Sequence, residues 1–173
     1  MHFNDTSKIL KLLFFSLMLF IFTSCTTKYY IVRHAEKLNN TDTSSLNAQG
    51  IQRAEDLKIL LLNKGIDKIY ASKYKRSQLT AKPLADELNK LMVIYSPDTT
   101  TQLADQLKRY SGSDVLIIGH TDNIPQLIEL LSGDSISPIA ENDFDNIYII
   151  EINKNIGWTS RYLTNSNYGM PSP

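Results

Sequence analysis

The chain reads as an α/β protein, a three-layer α/β/α sandwich with a mainly parallel central sheet and an antiparallel edge strand. Three observations predict this. Short apolar runs alternate with segments of helical periodicity, the pattern of strand–helix–strand units. The runs are apolar throughout, which suits strands covered on both faces. No Gly/Ser/Pro-rich linker or internal repeat interrupts residues 29–165, so the 173-residue chain carries one folded domain.

The first strand is Tyr29-Tyr30-Ile31-Val32, which stops at Arg33-His34. Ile51, Ala54, Leu57 and Leu61 then recur at helical spacing behind an Asn47 cap. Ile66–Ala71 forms a second strand. Leu84, Leu88 and Leu91 mark a helix face with Pro83 near its start or at a kink, because proline lacks an N–H and crowds the preceding turn. Met92–Tyr95 is a third strand, followed by a helix carrying Leu103, Leu107 and Tyr110. Val115–Gly119 is the fourth, and Ile124, Leu127, Ile128 and Leu131 make the clearest helix, opening beside Asp122-Asn123. Ile147–Ile152 and the more polar Trp158–Leu163 close the sheet, the latter at an edge. Residues 133–145 and the tail 166–173 read as loop.

Composition closes several options. With 18 Lys+Arg against 18 Asp+Glu there is no global attraction to nucleic acid, and 42% hydrophobic content excludes a disordered chain. Cys25 is the single cysteine, so an internal disulfide and a Cys-based zinc site are both excluded.

Lys8 and Lys11 precede an apolar run from Leu12 to Phe22, broken only by Ser16. That run is too short for a bilayer core needing roughly 20 residues. A basic start, a short apolar middle and small residues at Thr23 and Ser24 describe a signal peptide over residues 1–24. Phe22-Thr23-Ser24-Cys25 resembles a bacterial lipobox, with Phe22 where Leu is usual. The resemblance implies lipidation of Cys25, a tether over 25–28, a domain over 29–165 and an extracytoplasmic, membrane-anchored protein.

In sheets of this kind, binding sites form beyond the carboxyl ends of the strands. Arg33-His34 follows the first strand, Ser72…Arg76-Ser77 the second, and Gly119-His120 the fourth. Convergence would join two guanidinium groups to two imidazoles. Guanidinium is a permanent cation whose planar donors match phosphate oxygens, and imidazole can act as nucleophile or acid–base group. The pattern calls for a dianionic ligand and no cofactor. A His-based metal centre fits poorly, since catalytic zinc usually takes three protein ligands and only His34 and His120 lie beyond the leader.

These segments resemble the histidine phosphatase superfamily. Arg33-His34-Ala35-Glu36 is similar to its Arg-His-Gly/Ala-Glu signature, and Leu46-Asn47-Ala48-Gln49-Gly50 to its Leu-Thr-x-x-Gly helix start. Ser72 through Ala81 is similar to its Ser-x-x-x-Arg-(Ser/Ala)-x-x-Thr-Ala segment, and Gly119-His120 to its second histidine. The resemblance implies that His34 is the nucleophile that forms a phosphohistidine. It makes Arg33, Arg76 and His120 the clamp on the phosphoryl oxygens, with His120 working in its protonated form. Asn40, or Asn39 in its place, would be a further phosphate contact. The partners implied are a phosphorylated small molecule or a phosphorylated side chain.

One part of the pattern departs. Family members acting on poor leaving groups carry a carboxylic acid, either in an insertion after the third strand or directly after the second histidine. Here Met92–Tyr95 runs almost directly into the next helix, and Thr121 follows His120. Asp122 is open to two jobs, proton donor or helix cap; Asp98 and Glu36 are weaker candidates, and Glu36 with Lys37 also reads as a surface ion pair. General acid help is worth about 10²–10⁴ in rate, so its lack favours leaving groups that depart easily, such as aryl or acyl phosphates or phosphohistidine. A non-catalytic phosphate-binding module and a phosphoglycerate mutase-like phosphotransferase are the alternatives. The leader argues against the second, whose substrates are cytoplasmic.

Overall fold

The computed structural model describes residues 25–172; the signal-peptide reading of residues 1–24 lies outside them. Six strands form one sheet: β1 (Cys25–Arg33), β2 (Ile66–Ser72), β3 (Met92–Tyr95), β4 (Asp114–Gly119), β5 (Asn146–Asn155) and β6 (Trp158–Asn167). Their order is β3-β2-β4-β1-β5-β6. The three ladders among β3, β2, β4 and β1 are parallel. β5 runs against β1, and the edge strand β6 pairs antiparallel with β5.

The helices are α1 (Ala48–Leu61), α2 (Lys75–Glu87), α3 (Thr100–Leu107) and α4 (Ile124–Ser132). Alternation along β1 divides the core. Tyr29 and Ile31 pack with Leu103 and Leu107 of α3 and with Ile124, Leu127 and Leu131 of α4. Tyr30 and Val32 face Leu57 and Leu61 of α1 and Leu84 of α2 on the other side. Both faces of β1, β2 and β4 are therefore covered, which is why they read as unbroken apolar runs, whereas Val93 and Ile94 of the edge strand β3 are exposed.

Three boundaries differ from the sequence reading. Pro83 lies well inside α2, which starts at Lys75, and Leu91 is 93% exposed beyond its end. The helix spacing of Leu84, Leu88 and Leu91 thus overran the true terminus. Cys25–Lys28 is strand rather than tether: Cys25 lies opposite Lys154, and Thr26 Oγ1 donates to Asn153 Oδ1 at 2.6 Å. The tail is also structured. β6 reaches Asn167, Tyr168 is buried, and Tyr168 N donates to Asp145 O at 2.9 Å.

Glu36 is not part of a surface pair. It is buried, and Arg53 of α1 holds it through Nε at 3.0 Å and Nη2 at 2.7 Å. Arg53 Nη1 in turn donates to Tyr168 O at 3.1 Å, so one guanidinium joins the end of β1, α1 and the tail. Gly50 allows the approach, because a Cβ there would lie 2.3 Å from Glu36 O. Removing one partner of a buried pair leaves the other charge without compensation. Arg53→Met should therefore lower the unfolding free energy by about 3–5 kcal/mol in urea titrations. A change within about 0.5 kcal/mol, typical of surface substitutions, would contradict this reading.

Candidate active site

The carboxyl ends of β1, β2 and β4 meet where His34 N donates to Gly119 O at 3.0 Å. The structure brings His34 and His120 together there, with ring centroids 5.0 Å apart and both side chains buried. Each ring is oriented by its neighbours. His34 Nδ1 is 2.8 Å from Ala35 O, and since a carbonyl only accepts, Nδ1 carries the proton and Nε2 the lone pair. Ala35 is itself fixed by Thr80 Oγ1, which accepts from Ala35 N at 2.9 Å and donates to Arg76 O at 2.8 Å. His120 Nε2 lies 2.7 Å from Ser72 Oγ, which donates onward to Ser77 Oγ at 2.8 Å. Ser72 therefore accepts from His120 Nε2–H, leaving Nδ1 as the acceptor.

Arg33 and Arg76 complete the cationic surround. Arg33 Nη1 donates at 2.9 Å to Ala140 O, Glu141 O and Asp143 O, fastening the 133–145 segment across the end of β1. Phe144 lies under the same guanidinium at 4.1 Å and 6.1 Å from the His34 ring. What remains of Arg33 is its Nε/Nη2 edge, the fork that fits two phosphate oxygens. Nη2 meets only the exposed Glu141 carboxylate at 3.4 Å, and Nε is buried with no partner. Arg76 likewise keeps a buried, unpartnered Nε while its Nη1 donates to Thr41 O at 3.3 Å. Tyr74 lies beneath Arg76 at 4.5 Å and edge-on to His120 at 5.0 Å.

Burial and these cations control the imidazoles. Desolvation, with His120 and both arginines nearby, pushes His34 down to about 2. Desolvation and then Arg76 push His120 down to about 4, against a smaller opposing pull from Asp122. Both rings are therefore neutral near pH 7 unless an anion is bound, and the protonation expected of His120 belongs to the dianion-bound site. Gly119 is required by this packing, since a Cβ there would meet Ile124 Cγ1 at 2.7 Å and Asn123 Oδ1 at 3.0 Å.

The carboxylates are placed elsewhere. Asp122 is exposed on the turn after His120 and does not cap α4; Asn123 holds the cap position, and its Oδ1 accepts from His120 N at 2.8 Å. Asp98 is exposed, and Ser96 and Lys73 hold its carboxyl below the usual range, a poor proton donor. Glu36 is committed to Arg53. Asn40 is exposed, and Asn39 Oδ1 accepts from Thr41 N and Oγ1, so neither amide is turned to the imidazoles by a described contact. Cys25 is exposed at the far end of β1. Among the described residues no group of three or more His, Cys, Asp or Glu converges as a metal centre.

Residues 29–101 match the family described as histidine phosphatase superfamily (branch 1). This stretch of the chain is similar to that superfamily. The match carries His34 and Arg76 and stops short of His120, which the fold adds. Solved structures agree on the architecture. A mycobacterial hydrolase aligns with TM-score 0.67 at 11% identity, over 86% of this chain and 94% of that one. The protein histidine phosphatase SixA, in complex with tungstate, aligns with TM-score 0.61 at 15% identity over 81% and 96%. A mycobacterial glucosyl-3-phosphoglycerate phosphatase gives 0.62 at 10% over 83% and 100%. At such identities the likeness is one of fold. No curated protein matches the chain in sequence.

The depressed imidazoles tie stability to pH. The unfolded chain takes up protons below about 6.5, whereas the folded chain resists until about 4 at His120 and about 2 at His34. Stability is therefore full above about pH 6.5 and falls as pH drops toward 4. Urea midpoints across this range should decline less steeply in His120→Asn than in the parent; equal slopes would contradict the burial reading.

Proposed function

We propose that this protein is a metal-independent phosphatase that hydrolyses phosphomonoesters through a phosphohistidine on His34, held outside the cytoplasm by a lipid on Cys25. The supporting observation is the pair of buried, unpartnered Nε–H donors on Arg33 and Arg76, flanking a neutral imidazole whose Nε2 is free. A buried donor without an acceptor costs about 1–3 kcal/mol, and a phosphoryl group bound there would satisfy both. The tungstate held by SixA is an oxyanion of similar shape, in keeping with this reading.

In the proposed cycle, His34 Nε2 forms a bond to phosphorus as the ester P–O bond breaks, and the leaving oxygen departs with its electron pair. Water then attacks phosphorus, the N–P bond breaks, and phosphate leaves with His34 restored. Arg33 and Arg76 hold the non-bridging oxygens and stabilise charge as it develops. The dianion lifts the affinity of His120 Nδ1 for a proton, so that His120 becomes a third donor to it. Thr80 and Ala35 keep the nucleophile in the productive tautomer.

Among the described residues the carboxyl whose charge acts on His120 is the exposed Asp122, and no described contact aims it at a leaving group. The site is bordered by Tyr74 and Phe144. Both features favour leaving groups that are aromatic and depart readily, including aryl phosphates and phosphohistidine. Turnover of an aryl phosphate should persist in EDTA, exceed that of an alkyl phosphate, and fall at least about 10³-fold in His34→Ala. An acid-labile, alkali-stable phosphoenzyme should form in the parent only. Oxyanion binding without turnover would favour the non-catalytic module, and a strong alkyl preference would promote Asp122 to general acid.

A further inference from the structure

The end of the sheet opposite the imidazoles carries a surface that the phosphatase reading does not use. β5 and β6 are joined by a tight turn at Ile156-Gly157, with Gly157 at φ 86°, a left-handed conformation suited to glycine. The described residues leave its apolar side chains uncovered: Ile156 is 77% exposed and Trp158 59%. The ladder fixes where this tip lies. Cys25 pairs with Lys154, so Ile156 extends two residues past the start of β1, about 7 Å at strand rise. Lys108 and Arg109 are exposed on the adjoining loop. Lys154 Nζ donates to Lys108 O and Tyr110 O of that loop at 3.0 and 2.8 Å. A Cβ on Gly112 of the same loop would lie 3.0 Å from Cys25 Sγ, so the cations border the point where the chain enters the fold.

We infer that this end is a bilayer-docking face, with Ile156 and Trp158 inserted at the lipid interface and Lys108, Arg109 and Lys154 against anionic headgroups. The inference rests on the membrane-anchored reading. The leader with its apolar run Leu12–Phe22 ends at Cys25, so a lipid on Cys25 would bring a bilayer to this end of the sheet. Tryptophan and a neighbouring aliphatic side chain are what the headgroup–acyl boundary accepts, and a depth of about 7 Å falls within the 5–10 Å of interfacial elements. Cations near an anionic leaflet strengthen that contact. The opposite end then faces away. Arg33 is eight residues along β1 from Cys25, about 26 Å, so the phosphate site opens to solvent rather than to lipid phosphates. Substrates of this site would be soluble or carried on other proteins.

Trp158 is the only tryptophan, which makes its fluorescence a direct probe. Full-length protein is reconstituted into phosphatidylcholine/phosphatidylglycerol vesicles with or without bromine on the acyl chains. Co-flotation with the vesicles, a blue-shifted emission, and at least about twofold quenching by brominated chains support the face. Ile156→Asp should weaken that quenching while leaving aryl phosphate turnover unchanged. Co-flotation with emission typical of water and no brominated-lipid quenching overturns the docking face and leaves the anchor intact. Failure to float overturns both. Turnover, measured on the same samples, reports separately on the phosphatase reading.

Discussion

Two imidazoles lie 5.0 Å apart between two guanidinium groups, and both are held neutral near pH 7. Burial removes the water that would stabilise a charged ring, and the arginines raise the cost further. Near pH 7 the positive charge of the site therefore comes from the arginines, with a smaller contribution from Lys37, and His34 keeps its lone pair on Nε2. An arriving dianion reverses the balance at His120, where a proton becomes favourable once negative charge is present. Nucleophile and donor differ because Ala35 O fixes the proton of one ring on Nδ1, while Ser72 holds the Nε2–H of the other.

The surrounding fold keeps this cluster in place. Arg53 fastens Glu36 at the end of β1 to α1 and to the tail beside Tyr168. Arg33 fastens residues 140–143 and stacks on Phe144, so one guanidinium both positions a loop and offers its remaining edge to a ligand. The tail contributes again through Ser172, whose Oγ accepts from Phe144 N at 2.8 Å and Asp145 N at 3.1 Å. Segments far apart in sequence thus fix the aromatic ring beside His34.

Much of this was legible in the residues because β1, β2 and β4 are buried on both faces and end at polar residues. Arg33-His34, Arg76 and Gly119-His120 stood at strand ends, and the topology brings those ends together. Asn47 was legible as a cap, and its Oδ1 accepts from Gly50 N at 2.8 Å. What escaped depended on long-range contacts. Glu36 read as a surface charge because its partner is 17 residues away; the available signal was Arg53, a cation on the same helical stripe as Gly50, Ala54 and Leu57. The support given by Thr80 and Ser72 was hidden because hydroxyl bonds carry no periodicity. Asp122 lost the cap to Asn123 through a one-residue shift that local propensity does not resolve. Residues 25–28 lacked strand-like apolarity because they extend β1 to and beyond the start of β4, and Ser166 and Asn167 because they lie on the exposed edge strand β6.

The most direct measurement is nitrogen-15 NMR of the two histidine rings, followed with pH and then with tungstate. His34 should remain the neutral Nδ1–H tautomer well below about 6.5, and tungstate should convert His120 to imidazolium while His34 stays neutral. A His34 ring that titrates near 6.5, with neither ring responding to tungstate, would contradict the electrostatic basis of the site.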